Sequence, residues 1–330
     1  MVLILVTKAR EVFLNLQELD TILLIVMAYD DSTSQTLGTA IVLAIGQGLP
    51  SIIGHPVAAA ISYVIGNRYL SPTFRAISVN QWVAHDGKLT PQALRQKIRQ
   101  VYQNQGRALY DFYHNLDRPK ELSKYIKLTP RFQEMMDECM SGKMKRGTLM
   151  LMPHLSGFNL GGLYLAHLGF KFLTLAIPNP NRGYEWQNQL RNSRGMEVMP
   201  MSISSLHLAR QRLQAGGTVL TGVDRPMEDS RYCPEFFGRP APLPVAYVKL
   251  ALKTNARIKV IGFQSLKDYS CVVDASPEIK LKRYDDPHEE LVRNAEEVLK
   301  VIENYIRLEP TQWMMFLPVW PEVEKEMPRI

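Results

Sequence analysis

A histidine stands in a Gly/Ser turn within the stretch MPHLSGFNLGG, residues 152–162. His154 follows the apolar run TLMLM, and an amide, Asn159, comes five places later. The run reads as a strand, and residues 159–168 read as a helix. That places the imidazole at the carboxyl end of a strand, where open α/β sheets put their sites. An imidazole changes charge near neutral pH, which suits it to act as a catalytic base. A carboxylate beside it would orient the ring and favour the imidazolium. Asn159 can accept a hydrogen bond through its amide oxygen and orient the ring, but it supplies no negative charge. Three readings follow: another acid lies near His154, the site is slow, or the chain keeps a fold without its catalysis. Asp137 and Glu138 lie upstream, but the sequence does not bring them to the histidine.

Other chemistries lack their residues. No G-x-S-x-G elbow accompanies Ser156, which argues against a serine hydrolase. P-loop and dinucleotide fingerprints are missing, and the seven histidines show no metal-ligand spacing. No metal and no cofactor is expected. The cysteines Cys139, Cys233 and Cys271 are far apart and read as small buried hydrophobes in a reducing compartment.

The elements that must hold His154 are legible after Gly147. GTLMLM, KFLTLAIP, GMEVMP, GTVLTG, ARIKVIGF and YSCVVDA are short apolar or β-branched runs. Helical segments such as RGYEWQNQLRNSRG and SSLHLARQRLQAGG separate several of them, the second closed by Gly216. This alternation predicts an α/β domain with a mainly parallel sheet flanked by helices. Residues 286–308 form a closing amphipathic helix, with Asp286 as cap, Pro287 first, and Leu291, Ala295, Val298, Ile302 and Tyr305 on its buried stripe. Residues 88–116 form another. Thr90 is its cap, and Leu94, Ile98, Val101, Leu109, Phe112 and Leu116 share a face.

From Ser32 to Asn67 there is no Asp, Glu, Lys or Arg. Pro50 and Pro56 interrupt this stretch, so it predicts two short apolar helices, Leu37–Leu49 and Val57–Ile65, and not one span. The expected arrangement is a membrane-associating hairpin, with Arg68 and Arg75 meeting anionic head groups. Three regions follow: an unassigned extension over 1–35, a helical membrane-associating region over 36–125, and an α/β domain over 126–330, the last two packed as one unit. The formal charge of +7 suits an anionic surface or substrate. No basic block with interleaved aromatics points to nucleic acid.

Several blocks resemble one family. His154-Leu155-Ser156-Gly157-Phe158-Asn159 is similar to the H-x4-[Asp/Glu] motif of glycerolipid-type acyltransferases. In the branch of lipid A late acyltransferases and phosphatidylinositol mannoside acyltransferases it commonly reads H-x-G-N-W-[Asp/Glu]. QLRNSRG (189–195), GVDRPMED (222–229), the Phe-Phe-Gly segment from 235 and PTQWMMF (310–316) also resemble that branch, in order, over about residues 37–320. The resemblance implies an O-acyltransferase on the cytoplasmic face of the cytoplasmic membrane. It would move a fatty acyl group from acyl-CoA or acyl carrier protein to a phospholipid or glycolipid hydroxyl. His154 would be the general base and Asn159 its weakened orienter. Arg191, Arg194, Asp224, Arg225, Phe237 and Gly238 would serve substrate binding, with the arginines and the Asp224 loop at phosphate and oxyanion. Because Asn159 replaces the motif carboxylate, a lipid-binding pseudoenzyme of the same fold is the alternative. Acyl chain length, acceptor and oligomeric state stay open.

Overall fold

A computed structural model describes residues 45–67, 71–227 and 230–329. The first region, 1–35, lies outside the described residues, as does most of the expected helix Leu37–Leu49.

Among the described residues from Ser51 onward come α1 (Ser51–Gly66), α2 (Pro72–Ala84), α3 (Pro91–Asn115) and the single turn α4 (Pro119–Leu122). Alternation then begins: β1 (Ile126–Leu128), α5 (Pro130–Met140), β2 (Thr148–Met152), α6 (Phe158–His167), β3 (Leu173–Ala176) and α7 (Arg182–Ser193). It continues through β4 (Glu197–Pro200), α8 (Ile203–Gln214) and β5 (Thr218–Gly222) to a two-residue hairpin, β6 (Glu235–Phe236) and β7 (Arg239–Pro240). Last come α9 (Ala246–Thr254), β8 (Arg257–Ser265), β9 (Cys271–Ala275) and α10 (Pro287–Leu308). Helix starts follow the capping chemistry of the sequence. The Thr90 side chain accepts from Ala93 N–H ahead of α3, and Asp286 accepts from His288 and Glu289 ahead of α10.

Among the described residues, seven strands form one sheet in the order β1-β9-β8-β2-β5-β3-β4. It is parallel throughout except between β8 and β9, so β1 and β9 run against the other five. β2 lies at its middle, between β8 and β5. The period of two along β2 sorts its side chains to two cores. Leu149 and Leu151 pack with the α8, α9 and α10 side, and Met150 and Met152 pack with the α3, α5 and α6 side. A strand buried on both faces carries no polar alternation, which is why TLMLM is apolar after Thr148.

The apolar N-terminal stretch is built otherwise than its composition predicts. Pro56 does not end a helix; it sits inside α1, which is continuous. At the second turn a proline removes only the bond to the Ile52 carbonyl, and packing offsets that loss. Gly54, Ala58, Ser62 and Gly66 recur every fourth residue and are the buried face of α1. They let α1 approach α3 closely: a Cβ built on Gly54 would stand 2.0 Å from the Tyr110 ring, and one on Gly106 2.0 Å from Ser62 Oγ. Among the described residues no helix is long and apolar enough to cross a membrane, so the membrane hairpin is not supported by the fold. Part of the missing charge is explained by this seam between two helices of the chain.

The helical region is tied to the segment that reaches the site. Asn80 Nδ2 donates to the carbonyls of Met315 (3.0 Å) and Leu317 (2.8 Å), and Gln81 Nε2 to that of Pro310 (2.8 Å).

Candidate active site

The centre forms where two adjacent strands end. β2 leads through Pro153 into His154, and β5 leads through Val223 into Asp224. The two strands pair in register from Thr148 opposite Thr218 to Met152 opposite Gly222, and Val223 N–H continues the ladder to Met152 O at 3.3 Å. That register brings His154 to Asp224.

Asp224 Oδ1 lies 2.5 Å from His154 Nδ1, and its Oδ2 accepts from the His154 backbone N–H at 2.8 Å and from Trp313 Nε1 at 2.7 Å. The carboxylate is 0% exposed, and the His154 side chain is 14% exposed. Burial alone would raise the Asp224 carboxyl. The imidazole charge and the hydrogen bonds from His154 and Trp313 outweigh it and hold the group below the usual carboxylate range. A carboxylate accepts only, so the ring proton sits on Nδ1 and Nε2 is left as the basic nitrogen.

The support around this pair is equally specific. Gly222 lies against the ring: a Cβ there would come within 2.3 Å of His154 Cε1 and 2.9 Å of Nε2. The loop after His154 runs as a short antiparallel contact with the segment after α10. Met314 N–H donates to His154 O at 2.7 Å, and Ser156 N–H to Gln312 O at 2.9 Å. The Gln312 amide clamps the end of β8, accepting from Ser265 N–H at 2.8 Å and donating to Ser265 O at 2.6 Å. Behind Trp313 stand Phe236, Phe237 and Trp320, in stacked and edge-on contact. No side chain caps α6, which begins four residues after His154.

Asn159 takes a different partner from the one its spacing suggests. Its Oδ1 accepts from Arg191 Nε (3.1 Å) and Nη2 (2.7 Å). The expectation that Asn159 orients His154 is therefore corrected: the orienting oxygen belongs to Asp224. The reason is helical geometry. Asn159 is the second residue of α6 and is buried toward α7, the helix that carries Arg191. Arg191 also reaches Asn188 Oδ1 (2.7 Å) and Gln187 Oε1 (3.1 Å), and its guanidinium lies over the Phe158 and Tyr184 rings. It is buried, burial lowers its affinity for the proton, and no carboxylate pairs with it among the described residues. A carboxylate at 159 would give that cation its counter-charge. We expect Asn159→Asp to stabilise the fold by about 1–3 kcal/mol, seen as a higher Tm, and to change any activity far less than His154 variants do.

The remaining expected site residues separate. Arg225 follows Asp224 directly, and its buried Nε has no hydrogen-bond partner among the described residues. Arg194 turns away, to Asp117 and to the Leu116 carbonyl at 3.2 Å. Phe237 is buried against Trp313, in the left-handed region at φ 53°, and Gly238 follows at φ 70°. These two shape the turn behind Trp313. The sequence reading placed Asp224 at the substrate and gave no role to Gly222, Gln312 or Trp313. The Pro-x-Gln-Trp stretch was the signal for the last two; a glycine ending a strand before Asp was the signal for the first.

Comparison with known proteins gives two findings. A family model described as bacterial lipid A biosynthesis acyltransferase matches residues 90–322. Phosphatidylinositol mannoside acyltransferases of Mycobacterium tuberculosis, strains ATCC 25618 / H37Rv and CDC 1551 / Oshkosh, are 28% identical over 116 residues. The match covers 34% of this chain and 37% of each relative, little more than a third of their length.

Proposed function

Because the chain belongs to the bacterial lipid A biosynthesis acyltransferase family, we propose that it transfers a fatty acyl group to a hydroxyl of a phospholipid or glycolipid. The donor is an acyl thioester, acyl-CoA or acyl carrier protein, and the reaction takes place at the cytoplasmic face of the cytoplasmic membrane. His154 is the general base. Its Nε2 takes the proton of the acceptor hydroxyl as that oxygen attacks the thioester carbonyl. The tetrahedral oxyanion collapses, the C–S bond breaks, and the imidazolium returns its proton to the departing thiolate. Asp224 holds Nδ1–H and stabilises the imidazolium, at no reorganisation cost, because three donors already fix it. Backbone N–H groups of the uncapped first turn of α6 are the candidate donors to the oxyanion.

The observation that carries this reading is the buried carboxylate on the imidazole. The pseudoenzyme alternative rested on Asn159 standing where an acid is usual. A ring with Asp224 at Nδ1 does not need that acid, and this supports catalysis over lipid binding alone.

The test is acyl transfer from a radiolabelled acyl thioester to membrane lipid by wild type and His154→Ala. Loss of the base is expected to lower transfer by at least about a thousandfold with the fold intact. Unchanged transfer by the variant would remove His154 from the reaction. Silence of both proteins over a panel of donors and lipids would favour the non-catalytic reading.

A further inference from the structure

Large exposed apolar side chains gather at one end of the sheet, the end where β2 and β5 deliver His154 and Asp224. On one flank stand Met201, just after β4, and Ile203 and Leu206 in the first turns of α8. Met227, three residues beyond Asp224, joins them on the same end. Ile203 is 91% exposed. On the other flank stand Leu266 and Tyr269, in the turn joining β8 to β9, and Tyr125. Cys271 N–H donates to Tyr125 O, and Cys271 pairs with Ser265, so Tyr125 lies level with the end of β8. Ile52 is 84% exposed and lines one cavity with Tyr125 and Tyr269.

The flanks straddle the reacting pair. Four strand spacings separate β8 from β4, with β2, β5 and β3 between them, so the flanks lie roughly 19 Å apart across the sheet. Two apolar patches this far apart, with a recessed site between them, fit an extended flat partner better than a small ligand. Charge narrows the partner further. The acidic side chains of the β8 flank are already paired: Asp268 with Lys127, Glu121 with Lys124 and Asp117 with Arg194. Arg118, Lys120 and Lys267 have no carboxylate partner there among the ion pairs of the described residues. On the other flank Arg182, at the start of α7, is likewise without one.

We propose that these two patches, with their unneutralised basic residues, dock the protein onto an anionic bilayer surface so that His154 faces the lipid. The surface is the loop end of the sheet, not an inserted helical hairpin. Burial of protruding Ile and Met side chains at the acyl boundary supplies the apolar part of such binding, and basic residues the anionic preference. The choice of a lipid partner rests on the acyl-transfer reading above; the patches do not.

The test uses the full chain and vesicles of phosphatidylcholine with and without phosphatidylglycerol. Two pairs of changes, Met201→Ser with Ile203→Ser and Ile52→Ser with Leu266→Ser, each disarm one flank at exposed positions. Either pair is expected to weaken sedimentation with the mixed vesicles about tenfold while the melting temperature holds. Transfer between water-soluble substrates should be unchanged in both. Vesicle binding equal to wild type in both variants would overturn the proposal and put the membrane contact elsewhere. So would variants that bind vesicles normally but no longer capture acyl carrier protein, since the patches would then serve a protein. If the variants lose vesicle binding while wild type acylates no lipid, the docking face stands and the acyl-transfer reading falls.

Discussion

Replacing Asp224 by Asn should lower acyl transfer about 10³–10⁴-fold while leaving the fold in place. The change is isosteric, so the remaining oxygen can still receive the donors of whichever carboxylate oxygen it replaces. Three donors converge on the native carboxylate, and an amide cannot accept on both of its atoms. One of two things must give: the amide nitrogen takes the Oδ2 place and faces both Trp313 Nε1–H and the His154 amide, donor against donor, or it takes the Oδ1 place, faces Nδ1 and inverts the ring tautomer. In either case the ring loses the negative charge that favours its protonated state during transfer. His154 and Asp224 act as one unit, so the double variant should be scarcely slower than His154→Ala alone. A drop below tenfold in Asp224→Asn would show that the carboxylate merely fills space. The pair should also be visible in acid unfolding. The Asp224 carboxyl is held below its unfolded range, so its contribution to stability is complete above that range and is lost as the pH falls through the folded value. The stability gap between wild type and Asp224→Asn should therefore narrow below about pH 4.

Adding a single methyl at Gly222 should cost about a hundredfold in transfer, although residue 222 has no chemical role. The added Cβ would stand 2.3 Å from His154 Cε1 and 3.1 Å from Nδ1, closer than atoms approach without movement. Gly222 lies in the central sheet, paired with Met152, so the strand is the stiffer partner and the imidazole is what shifts. A ring that swings away gives up its contact with Asp224. The buried carboxylate then loses one of its donors, and about 1–3 kcal/mol of stability should go with it. Kinetics and thermal melts on Gly222→Ala, with Gly48→Ala as a control at an open position, would separate this effect from a general loss of glycine. Activity in Gly222→Ala equal to wild type would mean that the working ring position differs from the one described.

The sequence by itself determined the class of the fold and the position of His154. Alternating short apolar runs and amphipathic helices require a sheet buried on both faces, and the apolar run TLMLM followed by His154 puts the imidazole at a strand's carboxyl end. Thr90 and Asp286 announce their helices because a short polar side chain satisfies first-turn N–H groups locally. These features depend on contacts within a few residues. The carboxylate does not. Asp224 is 70 positions from His154 and meets it only because β2 and β5 pair, with β3 and β4 placed beyond them. Spacing along the chain pointed to Asn159 instead, but the turn into α6 carries residue 159 toward Arg191. The uncharged stretch before Asn67 shows the same limit. Composition reports that a segment avoids charge, and lipid and protein interiors demand that alike. The Gly, Ala and Ser repeat of α1 meeting Tyr110 and Tyr102 of α3 is a fact of tertiary packing, because only the folded chain places a helix close enough for the missing side chains to matter.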